Sequence, residues 1–284
     1  LRHSPMVVEH YLSEFVFPQT CRHQGAKLSA CGQALGGKLL FDQRLGFSGT
    51  PSDLLPVELG SCHYEKGSDA KMLRYLTDPL VTSQEMLPSS WTVKYILDYV
   101  AGRFVEGSSP FHALIDTGAL VTGMSNLDVA RYLLEHGLRG IDGVVFLDEE
   151  DRKMICVRKG YRVMKVEQSG VSLNRRFAFY DQIHTTGMDI KHRLGAHAAL
   201  TMGKDMVFRD YAQGAFRMRG IGVGQTIHTL IIPEVSRLID GDMQLCGGGD
   251  SIGDLVNATS APVGGPGNPS ILRAVCAWLV MNSM

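Results

Sequence analysis

The chain lacks the features that mark several common protein classes. None of its six cysteines lies in a Cys-x-x-Cys pair, and their spacing is irregular, which argues against a zinc ribbon and a disulfide scaffold. Its longest apolar runs, such as residues 229–232, are too short to span a bilayer. A net charge of −1 provides no overall field toward nucleic acid or anionic lipid. We therefore expect an intracellular protein, cytoplasmic or nuclear, without membrane contact.

The remaining composition is that of an ordinary globular protein. The chain has 284 residues, of which 44% are hydrophobic and 20% charged, enough for one large domain or two modest ones. It begins with Leu1 and ends within an apolar helix candidate at residues 277–284. We therefore expect a piece of a longer polypeptide.

Strand and helix patterns alternate after residue 110. Helix signals include a Ser-x-x-Asp start at Ser125 and a glycine stop at Gly137. A hairpin is predicted at 154–157 and 162–166, and a helix at 91–104 lies upstream. The other predicted elements are strands at 111–115, 144–147, 177–180, 198–201 and 226–232, and helices at 204–217 and 233–239. This alternation predicts a parallel sheet covered by helices on both faces.

The segment 213–225 carries the most informative chemistry. Gln213 and Arg217 are four residues apart on the predicted helix and share a face, whereas Arg219 points toward the next loop. A guanidinium is always charged and offers a planar fork of donors that can hold phosphate oxygens. With a glycine-rich run directly after them, these residues are predicted to act in catalysis, the arginines as fingers of a shared nucleotide site. The alternative is a solvated helix with two surface arginines.

A second motif, residues 185–190, follows the strand predicted at 177–180. Ligands of parallel sheets collect at the carboxyl ends of the strands, where this loop would lie. Gly187 permits close backbone approach to a phosphate or sugar, and Asp189 can accept from a ribose hydroxyl or hold an arginine. Both are therefore predicted to bind a cofactor, although a polar turn with Asp189 as helix cap remains the alternative.

Three other patterns point to chemistry less strongly. Residues 32–39 nearly match a phosphate-binding loop, but Leu39 stands where Ser or Thr must ligate magnesium. Asp181 and His184 resemble an acidic metal-binding motif, but Gln182 stands where a second carboxylate is needed, so we predict no metal site. His184 remains a candidate for a polar bridge between lobes. Cys62 with His63, and Cys21 with His23, are close in sequence, which does not show whether their side chains meet in space. Buried or unreactive thiols are therefore the favoured interpretation.

Taken together, segments 48–51, 116–126, 144–148, 184–189 and 213–225 resemble the C-terminal part of very large eukaryotic proteins. Those proteins are catalogued as ubiquitinyl hydrolases or ubiquitin thioesterase-like proteins. The likeness covers about residues 5–240 and 271–284. It implies thiol-dependent removal of ubiquitin, with ubiquitin or a ubiquitinated protein as the partner.

The same motifs also resemble the second lobe of superfamily-2 helicases. This implies a RecA-like parallel sheet flanked by helices, in which Gly187 and Asp189 touch nucleotide and Gln213 and Arg217 reach its phosphates. Arg219 falls one residue short of the usual second arginine. ATP with Mg²⁺ is the implied cofactor, bound mainly by an upstream lobe of the same polypeptide outside this chain. Nucleic acid or protein is the implied substrate.

We accordingly expect three parts and leave three functions open. The parts are a mainly helical lead-in at 1–110 that ends a preceding lobe, a RecA-like lobe at 111–240, and a Gly/Pro-rich linker with a truncated helix at 241–284. The functions are a ubiquitin-processing hydrolase carrying a helicase-like lobe, an NTP-dependent remodelling enzyme, and a degenerate scaffold lobe. A remodelling enzyme requires Gln213, Arg217 and Asp189 to face one cleft, whereas a thiol hydrolase requires a cysteine within hydrogen-bond reach of a histidine.

Overall fold

The structure is a computed structural model that describes residues 14, 68–103, 111–185, 189–245 and 266–283. The chain divides into two compact units, Leu1–Lys71 and Met72–Met284, and the second holds nearly all described residues. Their helices are α1 (Ser68–Thr77), α2 (Val93–Val100), α3 (Asn126–His136), α4 (Phe208–Ala215), α5 (Pro233–Leu245) and α6 (Pro269–Met281). Their strands are β1 (Thr82–Met86), β2 (Ala113–Ile115), β3 (Gly143–Leu147), β4 (Lys153–Val157), β5 (Arg162–Lys165), β6 (Arg176–Tyr180), β7 (His197–Met202) and β8 (Thr226–Ile231).

The eight strands form one mostly parallel sheet in the order β1-β8-β7-β2-β6-β3-β4-β5. The first six strands in this order run parallel to one another, whereas β4 and β5 add an antiparallel extension to β3. The predicted α/β class is therefore confirmed, and so is the predicted hairpin of β4 and β5. All three residues of β2 are fully buried, as expected for a central parallel strand covered on both faces.

The connections divide the helices between the two faces of the sheet. The crossover from β2 through α3 leads to β3 toward one edge, whereas the crossover from β7 through α4 leads to β8 toward the other edge. Because crossovers between parallel strands are right-handed, opposite directions put α3 and α4 on opposite faces. In agreement, α2 packs on α3, while α6 packs on α4 and α5. The chain reverses its direction across the sheet between β2 and β7, where ligands of such sheets commonly bind.

Several predicted boundaries are correct because capping residues fix them. Helix α3 has Ser125 as its N-cap, whose side chain accepts from the Asp128 N–H, and Gly137 as its C-cap. Other boundaries differ. Helix α5 extends to Leu245, so residues 241–245 are helical rather than linker. Strand β1 lies within the predicted helical lead-in but pairs with β8.

Helix α4 is shorter than predicted and ends at Ala215, two residues before Arg217. The N–H of Phe216 bonds to the carbonyl of Ala212, four residues back, but the N–H of Arg217 bonds to Gly214 and that of Met218 to Ala215, three residues back. This tighter winding ends the α-helix. Arg217 and Arg219 therefore lie in the turns that follow α4. This differs from the prediction, which placed Arg217 on a face of the helix.

Candidate functional site

Both arginines after α4 contact the same carboxylate. The Nη1 of Arg217 lies 3.0 Å from the Oδ1 of Asp189. Arg219 reaches both oxygens of Asp189, with its Nη2 2.8 Å from Oδ2 and its Nε 3.0 Å from Oδ2. The interpretation that Arg219 points elsewhere is therefore wrong, because the turns after Ala215 return it to the side of Arg217. We call these three residues the Asp189 cluster.

The two guanidinium groups of the cluster have different surroundings. The side chain of Arg217 is 8% exposed, whereas those of Arg219 and Asp189 are 49% and 50% exposed. Burial lowers the pKa of Arg217 and so does the charge of Arg219, while Asp189 opposes both effects. The guanidinium of Arg219 lies 4.5 Å from the ring centre of Phe216, a cation–π contact. Two cations and one anion leave the cluster with a net charge of +1.

Tyr180, the last residue of β6, positions the chain beside Asp189. Its hydroxyl accepts from the N–H of Ile190 at 3.0 Å and lies 3.0 Å from the Nε2 of His192. Burial raises the pKa of Tyr180, so the phenol stays neutral and available as a hydrogen-bonding group. The carboxyl end of β6 therefore fixes the segment that carries Asp189.

The other two predicted site residues, Gln213 and Gly187, are not members of the Asp189 cluster. Gln213 is buried in α4, and its backbone carbonyl accepts from the Nε of Arg217 at 3.4 Å. Gln213 therefore contacts the cluster through its main chain. Gly187 lies outside the described residues, as do segments 32–39 and 48–51.

A second polar cluster, which sequence reasoning gave no role, lies where β2 and β7 end. The buried carboxylate of Asp116 accepts from the Thr201 hydroxyl at 2.7 Å and from the N–H groups of Leu120 and Val121 at 2.9 and 3.0 Å. Burial raises the pKa of Asp116 although these three donors lower it. An aspartate two residues before a glycine, at the end of an apolar strand, is the sequence signal for this turn.

Glycines bring the loop after β2 against its neighbours. A Cβ added to Gly118 would lie 2.5 Å from the backbone nitrogen of Gly203. A Cβ added to Gly214 of α4 would lie 2.3 Å from the Oγ1 of Thr117. That buried Oγ1 has no hydrogen-bond partner among the described residues. The absence of side chains at these positions therefore allows α4 and the ends of β2 and β7 to pack closely.

His184 joins two loops at the same edge of the sheet. Its Nδ1 contacts Asp181, which directly follows β6, and its Nε2 lies 2.8 Å from the Oδ1 of Asp151 in the turn between β3 and β4. Burial lowers the pKa of His184, but the two carboxylates outweigh burial and hold the pKa above its ordinary value. The imidazolium therefore links the loop after β6 to the β3–β4 turn.

This link predicts that the free energy of unfolding changes as pH rises above 6.5. A histidine whose pKa is higher in the folded state stabilises that state below the ordinary value of 6.5, and the contribution disappears as pH rises through the higher, folded value. We expect the free energy of unfolding of the wild type to lose this contribution above pH 6.5, and His184→Gln to lack the loss. Urea denaturation from pH 5.5 to 8.5 measures both.

Other histidines affect the free energy of unfolding in the opposite direction, and they do so below pH 6.5. Their pKa values are lowered by burial, so their contribution is lost as pH falls below their ordinary value of 6.5; they are His112, His192, His197 and His228. The comparison above pH 6.5 therefore isolates His184. Parallel pH profiles for wild type and His184→Gln in that range would contradict the link.

The two described cysteines, Cys156 and Cys276, are buried free thiols. Burial raises the pKa of both, that of Cys276 to about 12, and neither makes a hydrogen bond to a histidine among the described residues. The pairs of Cys21 with His23 and Cys62 with His63 lie outside those residues. Within residues 68–103, 111–185, 189–245 and 266–283, no three His, Cys, Asp or Glu side chains are grouped to hold a metal ion.

None of the described helices has the length and apolar character needed to cross a membrane. Comparison of the chain with protein-family models, with curated proteins and with solved structures gives no match.

Proposed function

We propose that this chain forms a RecA-like second lobe of an NTP-driven remodelling enzyme of the superfamily-2 helicase type. Arg217 and Arg219 would stabilise the phosphates of a nucleotide bound mainly on another lobe. The observation that supports this function best is the convergence of both guanidinium groups on Asp189, at 3.0 and 2.8 Å. Preorganised cations beside a developing negative charge are the main catalytic device of phosphoryl transfer.

The charge of the Asp189 cluster favours an anionic ligand over a purely structural role. Placing the Arg217 guanidinium at 8% exposure costs desolvation free energy, and Arg217 shares the Asp189 carboxylate with a second arginine. A lobe with a purely structural role does not need this excess positive charge. A phosphate group, in contrast, would balance this positive charge and accept hydrogen bonds from guanidinium groups.

The surroundings of the two arginines suggest separate tasks. Arg217 is buried and held by Asp189 and by the Gln213 carbonyl, so we assign it the fixed contact to phosphate. Arg219 is half-exposed, and both of its bonding nitrogens contact Asp189. It would exchange this carboxylate for phosphate oxygens when nucleotide arrives. Gln213 would then be a positioning residue, and Gly187 the point of close approach to the nucleotide.

ATP with Mg²⁺ is the proposed nucleotide, and nucleic acid or protein the material remodelled. Removal of ubiquitin would require thiol chemistry from residues outside the described ranges, because Cys156 and Cys276 are buried thiols with raised pKa values. A buried protonated thiol is a poor nucleophile.

Two assays on the full-length polypeptide that contains this chain separate these functions. We expect ATP hydrolysis above background, and no labelling of residues within this chain by a ubiquitin probe carrying a vinyl electrophile. Absence of hydrolysis with ATP and the other common NTPs, with and without added single-stranded nucleic acid, would remove the proposed function. Labelling of a cysteine within this chain would favour the ubiquitin hydrolase instead.

A further inference from the structure

Directly beyond Asp189, the chain forms a small pocket at the opposite end of the sheet from the Asp116 cluster. His112 precedes β2, Arg176 begins β6 and Arg193 lies shortly before β7, and these three strands are neighbours. Lys191 and His192 complete the polar lining. The pocket therefore gathers basic side chains from three adjacent connections at the amino-terminal ends of the strands.

Two N–H groups face the ring nitrogens of His112 in this pocket. The Nδ1 of His112 lies 3.2 Å from the backbone nitrogen of His197, and the Nε2 of His112 lies 3.3 Å from the Nη1 of Arg193. A neutral imidazole offers one lone pair and one N–H. The N–H groups of His197 and Arg193 thus compete for one lone pair, whichever tautomer is present, and the imidazole adds an N–H of its own. At least one donor faces another donor.

The imidazole of His112 cannot relieve this conflict by gaining a proton. Protonation would replace its only lone pair by another donor, and burial together with the charge of Arg193 lowers the pKa of His112. An acceptor from outside the chain would satisfy these donors. A single oxygen beside the Nε2 of His112 and the Nη1 of Arg193, which lie 3.3 Å apart, would accept from both N–H groups.

The charges around the pocket specify the kind of acceptor. Within the described part of the chain, Arg176, Lys191 and Arg193 take part in no ion pair, and the described lining includes no Asp or Glu. The nearby Asp189 is already shared by Arg217 and Arg219. The free volume is about 10 Å³, which is room for one water-sized atom. The ligand is therefore an anion that inserts one oxygen and leaves its others near the exposed Lys191 and Arg193.

We propose that this pocket binds a phosphate group, with one phosphate oxygen bridging His112 and Arg193. This site is additional to the Asp189 cluster and does not depend on the proposed ATP hydrolysis. A tetrahedral phosphate fits because one oxygen can enter while the remaining charge faces two exposed cations. A nucleotide and the backbone of a nucleic acid both supply this chemistry.

Inorganic phosphate, added to the 284-residue chain at constant ionic strength, tests the site. We expect the imidazole NMR signals of His112 and His197 to shift saturably with phosphate but not with chloride. Arg193→Ala should weaken this binding about tenfold, since it removes a charged hydrogen bond. Arg237→Ala is the matched control, because that arginine is 75% exposed on α5 and should leave the affinity unchanged.

Two further arms separate this site from the Asp189 cluster and identify the source of the phosphate. Arg217→Ala should leave the phosphate response of His112 intact even if it abolishes nucleotide turnover. Competition for the His112 signals by ATP indicates a nucleotide, and competition by a single-stranded oligonucleotide indicates a nucleic-acid backbone. The site is ruled out if phosphate leaves both histidine signals unshifted, or if folded Arg193→Ala binds phosphate as tightly as the wild type.

Discussion

Replacing Arg217 with alanine should lower the proposed NTP turnover about a thousandfold or more, the effect typical of an arginine that stabilises phosphoryl transfer. Arg217 is the buried member of the Asp189 cluster, with its side chain 8% exposed, whereas that of Arg219 is 49% exposed. The substitution leaves Asp189 paired with Arg219 at 2.8 Å. The lobe should therefore stay folded, and the loss should appear in kcat.

Three measurements make the Arg217 result interpretable. Circular dichroism and urea denaturation verify that the variant is folded. Arg217→Lys should recover little turnover, because a lysine provides a point charge in place of the planar fork that reaches both Asp189 and the Gln213 carbonyl. Arg237→Ala should behave as the wild type. Turnover of folded Arg217→Ala within twofold of the wild type would contradict the role proposed for the Asp189 cluster.

The parallel core was predictable because its strands are apolar on both faces. Residues 144–147 and 177–180 read as continuous apolar runs, and both lie in strands of the sheet. Strand β1, with the sequence Thr-Ser-Gln-Glu-Met, has no such run. It is a strand because it pairs with β8 at the edge of the sheet, and such tertiary pairing leaves no periodic signal in a polar segment.

The residue types of the Asp189 cluster were predictable, but its geometry was not. Arginine and aspartate at the ends of strand and helix patterns indicated phosphate chemistry, and Asp189 does lie beside Arg217. The predicted direction of the Arg219 side chain was wrong, because that direction depends on where α4 ends. That end is set by backbone hydrogen bonds three residues apart after Ala215, and helix boundaries are the least certain part of a sequence pattern.

Contacts between distant segments were beyond sequence reasoning for a different reason. Asp116 and Thr201 are 85 positions apart and meet because Ile115 and Leu200 are partners in the pairing of β2 with β7. A shift of one residue in that register would turn every side chain of β2 to the other face. The donor excess around His112 likewise depends on the connections before β2 and β7 meeting at one edge.

Gly118→Ala is the second substitution with a large expected effect, a loss of about 3 kcal/mol or more in the free energy of unfolding, at the upper end of overpacking. An added Cβ would lie 2.5 Å from the nitrogen of Gly203 and 2.6 Å from the carbonyl carbon of Met202. Both are backbone atoms of the segment that ends β7, so no side chain can rotate to make room. Relief would require β2 and β7 to separate at their carboxyl ends, which would also stretch the 3.0 Å hydrogen bond from the Gly118 N–H to Thr201.

The control for Gly118→Ala is the same substitution at Gly195, where no atom lies within 4 Å of an added Cβ. Gly195→Ala should change the free energy of unfolding little, or raise it by about 0.4–1 kcal/mol by restricting the unfolded chain. Urea denaturation midpoints of both variants measure the difference. Equal midpoints would mean that β2 and β7 do not approach as closely as Gly118 and Gly203 indicate. A large difference supports the junction that positions Asp116, because the Thr201 hydroxyl that bonds Gly118 also donates to that carboxylate at 2.7 Å.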